Sequence, residues 1–104
     1  MKHEDFNKIT IDRFAKCEQT LTKKSSLYSS LEDRLHNFKI GAKDLGTSPE
    51  KYLIHLVTKQ WTTLKYIVLN DKLRDIDFSL FEELQGDIIN YMVLLEGLLT
   101  DKKG

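Results

Sequence analysis

Apolar residues recur at helical intervals over stretches that this chain seldom interrupts: its 104 residues include 1 proline and 5 glycines. Spacings of three and four residues place side chains on one face of a helix, whereas a half-buried strand needs strict alternation, and none appears. Phe6, Ile9, Phe14, Cys17 and Leu21 predict a first helix over roughly residues 5–24. Lys23 to Ser30 reads as a loop, because its serines compete for their own backbone. Leu31, Leu35 and Phe38 predict a short second helix that Gly41 and Gly46 limit.

The third helix has the clearest start. Ser48 can cap, Pro49 suits the first helical position, and Glu50 favours the positive end of the helix dipole. Leu53, Leu56, Val57, Trp61, Leu64, Ile67 and Val68 then share one face to about residue 69. Asn70 to Asp77 is charged and irregular and predicts a connection. Ser79 with Glu82 matches a capping box, which opens a fourth helix carrying Leu84, Ile88, Tyr91, Leu95 and Leu98. The expectation is an all-α fold: one domain over residues 1–104, a small helical bundle of two long and two shorter helices. Leu94, Leu98 and Leu99 beside Tyr91 and Leu95 leave a second apolar stripe, which predicts a homo-oligomer formed through the third and fourth helices.

Composition narrows the partners. Lys and Arg number 16 and Asp and Glu 16, so there is no basic excess to displace counterions from a nucleic-acid backbone, and general nucleic-acid binding is not expected. The single cysteine, Cys17, forms neither an internal disulfide nor a metal-binding pair. The start, Met1 to Asp5, lacks an apolar stretch, and the longest apolar run, Tyr91 to Leu95, is too short to cross a bilayer. The expected setting is cytoplasmic, with no membrane partner.

Two polar strings stand out within this Leu/Ile-rich chain. They are Glu32-Asp33-Arg34-Leu35-His36-Asn37-Phe38 and Gly86-Asp87-Ile88-Ile89-Asn90-Tyr91. Packing alone gives no reason to set Asp87 and Asn90 among Ile88, Ile89, Tyr91, Met92 and Leu94, since a buried polar group is costly unless paired or ligated. Arg34 offers a planar fork for phosphate, and His36 and Asn37 can donate to phosphate or to base edges. His55 and Lys59 lie one turn apart, Tyr28, Trp61 and Tyr91 can stack on a base, and Asp87 and Asn90 can accept from a base or ribose. Asp87 could instead form an internal salt bridge with Arg34 or Lys59, Asn90 could be a satisfied core amide, and Trp61 could pack in the core.

With these strings the chain resembles a family of small phage-encoded helical proteins, the nucleotide modification associated domains, themselves loosely similar to MazG-like all-α nucleotide pyrophosphohydrolases. The resemblance runs from about Phe6 to Leu99 and includes Lys24 to Tyr28, Asp33 to Phe38, Thr47 to Glu50, Lys59, and Gly86 to Tyr91. Ser29, Gln60 and Leu84 depart from it, where glycine, histidine and lysine would be usual. The resemblance implies a nucleotide ligand and a viral or prophage setting, in the host cytoplasm.

The expected ligand-binding set is then Lys24, Tyr28, Arg34, His36, Asn37, Lys59, Asp87, Asn90 and Tyr91, with no resident cofactor. A MazG-type hydrolase would need a carboxylate cage for Mg²⁺, and the only acids in reach are Glu32, Asp33, Glu83, Asp87 and Glu18. The third helix has no acid between Lys51 and Asn70, which favours a protein that binds a nucleotide without turning it over. In a phage, such a protein can sequester a signalling nucleotide, cyclic or otherwise, on which bacterial defence depends. An Mg²⁺-dependent hydrolase or nucleotide-modification accessory, and an interaction module with no small ligand, are the alternatives.

Overall fold

In the computed structural model, residues 1–23 and 33–103 are described, and among them every regular element is helical. The helices are α1 (His3–Lys23), α2 (His36–Asp44), α3 (Pro49–Leu69) and α4 (Phe78–Lys103). The all-α bundle expected from the apolar spacing is therefore present. Its proportions differ, because α1, α3 and α4 span 21, 21 and 26 residues and only α2, with 9, is short. No described helix is long and apolar enough to cross a membrane.

Local chemistry sets most of the helix ends. Ser48 caps α3 by accepting from Lys51 N at 3.3 Å, with Pro49 in the first turn. The Glu50 carboxyl is held below its usual range by its own backbone N–H, with the Ser48 hydroxyl and the charge of Lys102 adding to the effect. α2 ends at Gly46, whose φ of +69° lets Gly46 N donate to Lys43 O (3.1 Å) and Thr47 N to Ala42 O (2.9 Å). The same motif closes α3, where Asp71 takes the left-handed conformation at φ +53° and Lys72 N reaches Ile67 O at 2.9 Å.

Two expected boundary roles are corrected. The Ser79–Glu82 box does not form: Asp77 accepts from Ser79 N at 3.0 Å, and this bond holds its carboxyl below the usual range. Glu82 is thereby available to α1, where it pairs with Arg13 (3.1 Å) and Lys16 (3.0 Å). Gly41 does not limit α2 but lies inside it. A Cβ there would come within 2.5 Å of Tyr52 Cε1, so glycine is what lets α2 lie against α3.

α4 is the common partner. α3 runs antiparallel to it, with Gln60 opposite Asp87 and Glu50 near Lys102. α1 runs parallel to its first half, with Arg13 and Lys16 on Glu82, and the absence of a side chain on Gly86 leaves room for Arg13 Nη1. α2 crosses the far end, where Lys39 bridges Asp33 (2.8 Å) and Asp101 (2.7 Å). Leu53, Ile67, Leu84 and Leu98 form the α3–α4 core, joined by Ala42 of α2 and Cys17 of α1. Cys17 is the one buried residue of α1; Phe6, Ile9 and Phe14, expected to share its buried stripe, are exposed.

Candidate functional site

Among the described residues, the last turns of α1, the start of α2 and the middle of α4 leave a gap where they meet. A cavity of about 280 Å³ remains, walled by Thr20 and Leu21 of α1, Arg34, Asn37 and Phe38, Tyr52 and Leu56 of α3, and Asp87, Asn90, Tyr91 and Leu94 of α4. Its α4 wall follows from helical spacing: positions 87, 90, 91 and 94 share one face. This is the physical content of the second polar string. Gly86 admits α1, while Asp87, Asn90 and Tyr91 turn toward the cavity.

Five of the nine expected ligand residues, Arg34, Asn37, Asp87, Asn90 and Tyr91, thus come together at one cavity. Lys24 and Tyr28 lie outside the described residues, as does Glu32. His36 is exposed at the start of α2 and is not on the cavity wall. Lys59 is also exposed and away from the wall. The expectation that this lysine faces the ligand is corrected: its neighbour Gln60 turns inward and donates from Nε2 to Asp87 Oδ2 at 2.8 Å. Gln60 lies on the row Leu53–Leu56–Gln60–Leu64–Ile67 that packs toward α4, and Lys59 falls 100° away from it. That row was visible in the sequence and identifies Gln60 as the residue missed. Tyr52, Phe38 and Leu94 were also missed as wall residues; Phe38 and Tyr52 meet edge to face with centroids 6.5 Å apart.

The polar groups of the wall are unevenly satisfied. Asp87 accepts from Gln60, not from Arg34 or Lys59, so the anticipated salt bridge is absent among the described residues. Arg34 is half-buried and donates from Nη2 to Leu21 O at 3.3 Å, tying the cavity wall to the end of α1. No carboxylate among the described residues pairs with its guanidinium. Asn90 is 8% exposed, and its Oδ1 has no hydrogen-bond partner among the described residues. Tyr91 loses its phenolic proton less readily than a free tyrosine, because of burial first, then the negative charge of Asp87 and the proximity of Tyr52.

Among the described residues, no three His, Cys, Asp or Glu side chains gather as a metal-binding group. Asp33 is engaged by Lys39 Nζ and Leu35 N (3.0 Å), which hold its carboxyl below the usual range. Glu83 is exposed and, with Asp87, borders a separate groove beside α1. Of the acids suggested for a magnesium cage, Glu83 and Asp87 therefore share a groove, Asp33 is engaged by Lys39, and Glu32 lies outside the described residues.

Fold and site together define an all-α bundle with a partly polar, half-open cavity. Compared with known protein families, with curated proteins and with solved structures, the chain matches none.

Proposed function

We propose that this chain binds a nucleotide in the cavity between α1 and α4 and holds it without turnover. The observation that carries the reading is Asn90: a residue of the cavity wall whose buried amide oxygen has no partner among the described residues. Such an atom costs about 1–3 kcal/mol while unmatched, and a ligand N–H donor removes that cost. A nucleobase supplies that donor on a flat ring, and Tyr91, Tyr52 and Phe38 offer aromatic surface to it. Arg34 has guanidinium donors to spare for a phosphate, and Asn37 stands beside it on the same wall.

The volume of about 280 Å³ lies just under the usual range for small-ligand sites, about 300–1,000 Å³. It suits a base and sugar, with phosphate directed toward Arg34. Retention rather than hydrolysis is supported by the state of the acids: Asp87 is bonded to Gln60, Asp33 to Lys39, and α3 between Lys51 and Leu69 has none. The phage setting, and with it the sequestration of a signalling nucleotide of antiviral defence, rests on the family resemblance.

The test is incubation with a mixture of ribonucleotides, deoxyribonucleotides and cyclic dinucleotides, followed by mass analysis of the bound and free pools. Intact nucleotide retained by the protein, and lost in Arg34→Ala and Asn90→Leu with helicity unchanged, is the expected result. Conversion to monophosphate, or no retention of any nucleotide, overturns the proposal.

A further inference from the structure

Among the described residues nothing covers one side of the α3–α4 hairpin, and it is not the side that holds the cavity. They face each other through Leu53, Gln60 and Ile67 on one helix and Leu84, Asp87 and Leu98 on the other. At 100° per residue, the next stripe on α3 is Ile54, Val57, Trp61 and Val68; on α4 it is Phe81, which also borders a groove against α1, then Ile88, Met92, Leu95 and Leu99. Because the helices are antiparallel, an equal rotation about each brings both stripes to the same side. The opposite rotation brings Tyr52 and Leu56 on α3, and Asp87 and Asn90 on α4, to the side of the cavity and α1.

Both stripes repeat at intervals of three, four and seven residues, the spacing of helices that pack along a seam. None of their nine positions is charged, and Ile54, Trp61, Val68, Met92 and Leu99 are each between 44% and 51% exposed. This face also corrects the expected second stripe: Tyr91 and Leu94 line the cavity and Leu98 is in the core, so only Leu95 and Leu99 belong to it.

We propose that a second copy of this chain covers this face, so that the α3–α4 hairpins of the two copies form a four-helix bundle about a two-fold axis with both Trp61 side chains inside. The exposed area leaves room for a copy of the same chain. The chain exposes 8086 Å², where a compact monomer of this mass exposes about 6,100 Å². Its radius of gyration is 15.8 Å, against about 13 Å for a compact domain of this length. A standard dimer interface removes about 800 Å² from each subunit, well within that excess. The geometry is also self-matching: a two-fold axis along the hairpin sets α3 of each copy beside α4 of the other, antiparallel, uncharged stripe against uncharged stripe.

The test is sedimentation equilibrium of the whole chain, read with iodide quenching of its one tryptophan. Twice the mass of the 12.2 kDa chain is expected, with Trp61 shielded and becoming quenchable as dilution dissociates the dimer. Trp61→Glu should raise the dissociation constant about 30-fold or more, and Met92→Lys, on the other helix, should weaken association in the same way. The two variants guard against one of them failing to fold. A single-chain mass at every concentration overturns the proposal. So does a dimer in which Trp61 stays quenchable, or one that folded Trp61→Glu and Met92→Lys leave intact while Phe6→Glu or Phe78→Glu dissociates it.

Discussion

If Asn90 is kept polar for a ligand, removing its polarity should make the empty protein more stable. The residue is 8% exposed, its Oδ1 has no partner among the described residues, and the surrounding wall includes Leu21, Phe38, Leu56 and Leu94. A buried unsatisfied acceptor costs about 1–3 kcal/mol. Leucine is branched at the same carbon and close in size, so Asn90→Leu removes the acceptor without opening a void. Allowing for imperfect fit against Tyr91 and Thr20, a gain of about 1–2 kcal/mol is expected. For a domain of this length that corresponds to a rise in Tm of roughly 5–10 °C.

Urea unfolding of ligand-free protein, followed by circular dichroism at fixed chain concentration, reads the change. The midpoint should rise with the slope unchanged, which marks a change in stability rather than in the surface exposed. Asn90→Asp is the control of opposite sign, since it places a carboxylate at a position 8% exposed, close to the existing carboxylate of Asp87 on the same wall. A loss of more than about 1 kcal/mol in Asn90→Leu would refute the reasoning, because it would show the amide to be a structural bond of the bundle.

Three further outcomes follow from particular contacts. Gly41→Ala should cost about 1–3 kcal/mol and weaken nucleotide retention, because its Cβ, 2.5 Å from Tyr52 Cε1, must displace a ring of the cavity wall; thermal melts and the retention assay check both. Asp71→Gly should stabilise by about 0.5–1 kcal/mol, since its φ of +53° suits glycine better than any residue with a Cβ; the same urea titration measures it. The carboxyls of Asp33, Glu50 and Asp77 all have folded values below their unfolded ones, so the stability they contribute is complete above the unfolded values, 3.8 to 4.5, and is lost as pH falls through the folded ones. Melting temperature followed downward from pH 5 should therefore decline, and Asp77→Asn should flatten part of that decline.

The fold was legible wherever a helix end is decided by its own neighbours. Ser48, Pro49 and Glu50 start α3 because the cap, the proline and the dipole act within four residues of one another. The start of α4 was misread because two acceptors compete there, and only tertiary structure decides between them. Glu82 is drawn across to Arg13 and Lys16, which leaves Asp77 to serve the helix end. Gly41 was misread for a related reason: its lack of a side chain serves a contact with Tyr52, eleven residues away, and not the local turn. In the site, the α4 residues were legible as a set because their helical spacing already grouped them. Lys59 was favoured for its charge, although the apolar row on either side of it assigns the inward position to Gln60.

That contrast explains why six residues, Gly86 to Tyr91, carry so much of the molecule. A helix apolar around its whole circumference must be buried on every side, and α4 approaches that condition from Phe81 to Leu99. Within the string, Gly86 admits α1, Asp87, Asn90 and Tyr91 border the cavity, and Ile88 points to the uncovered face. Of its polar residues, Asp87 meets Gln60 of α3 and Asn90 borders the cavity, and the uncharged residues continue around to a face that no described helix covers. The described helices therefore satisfy α4 on two sides; under the two proposals above, a ligand would complete the gap beside α1 and α2, and a second subunit would complete the third side.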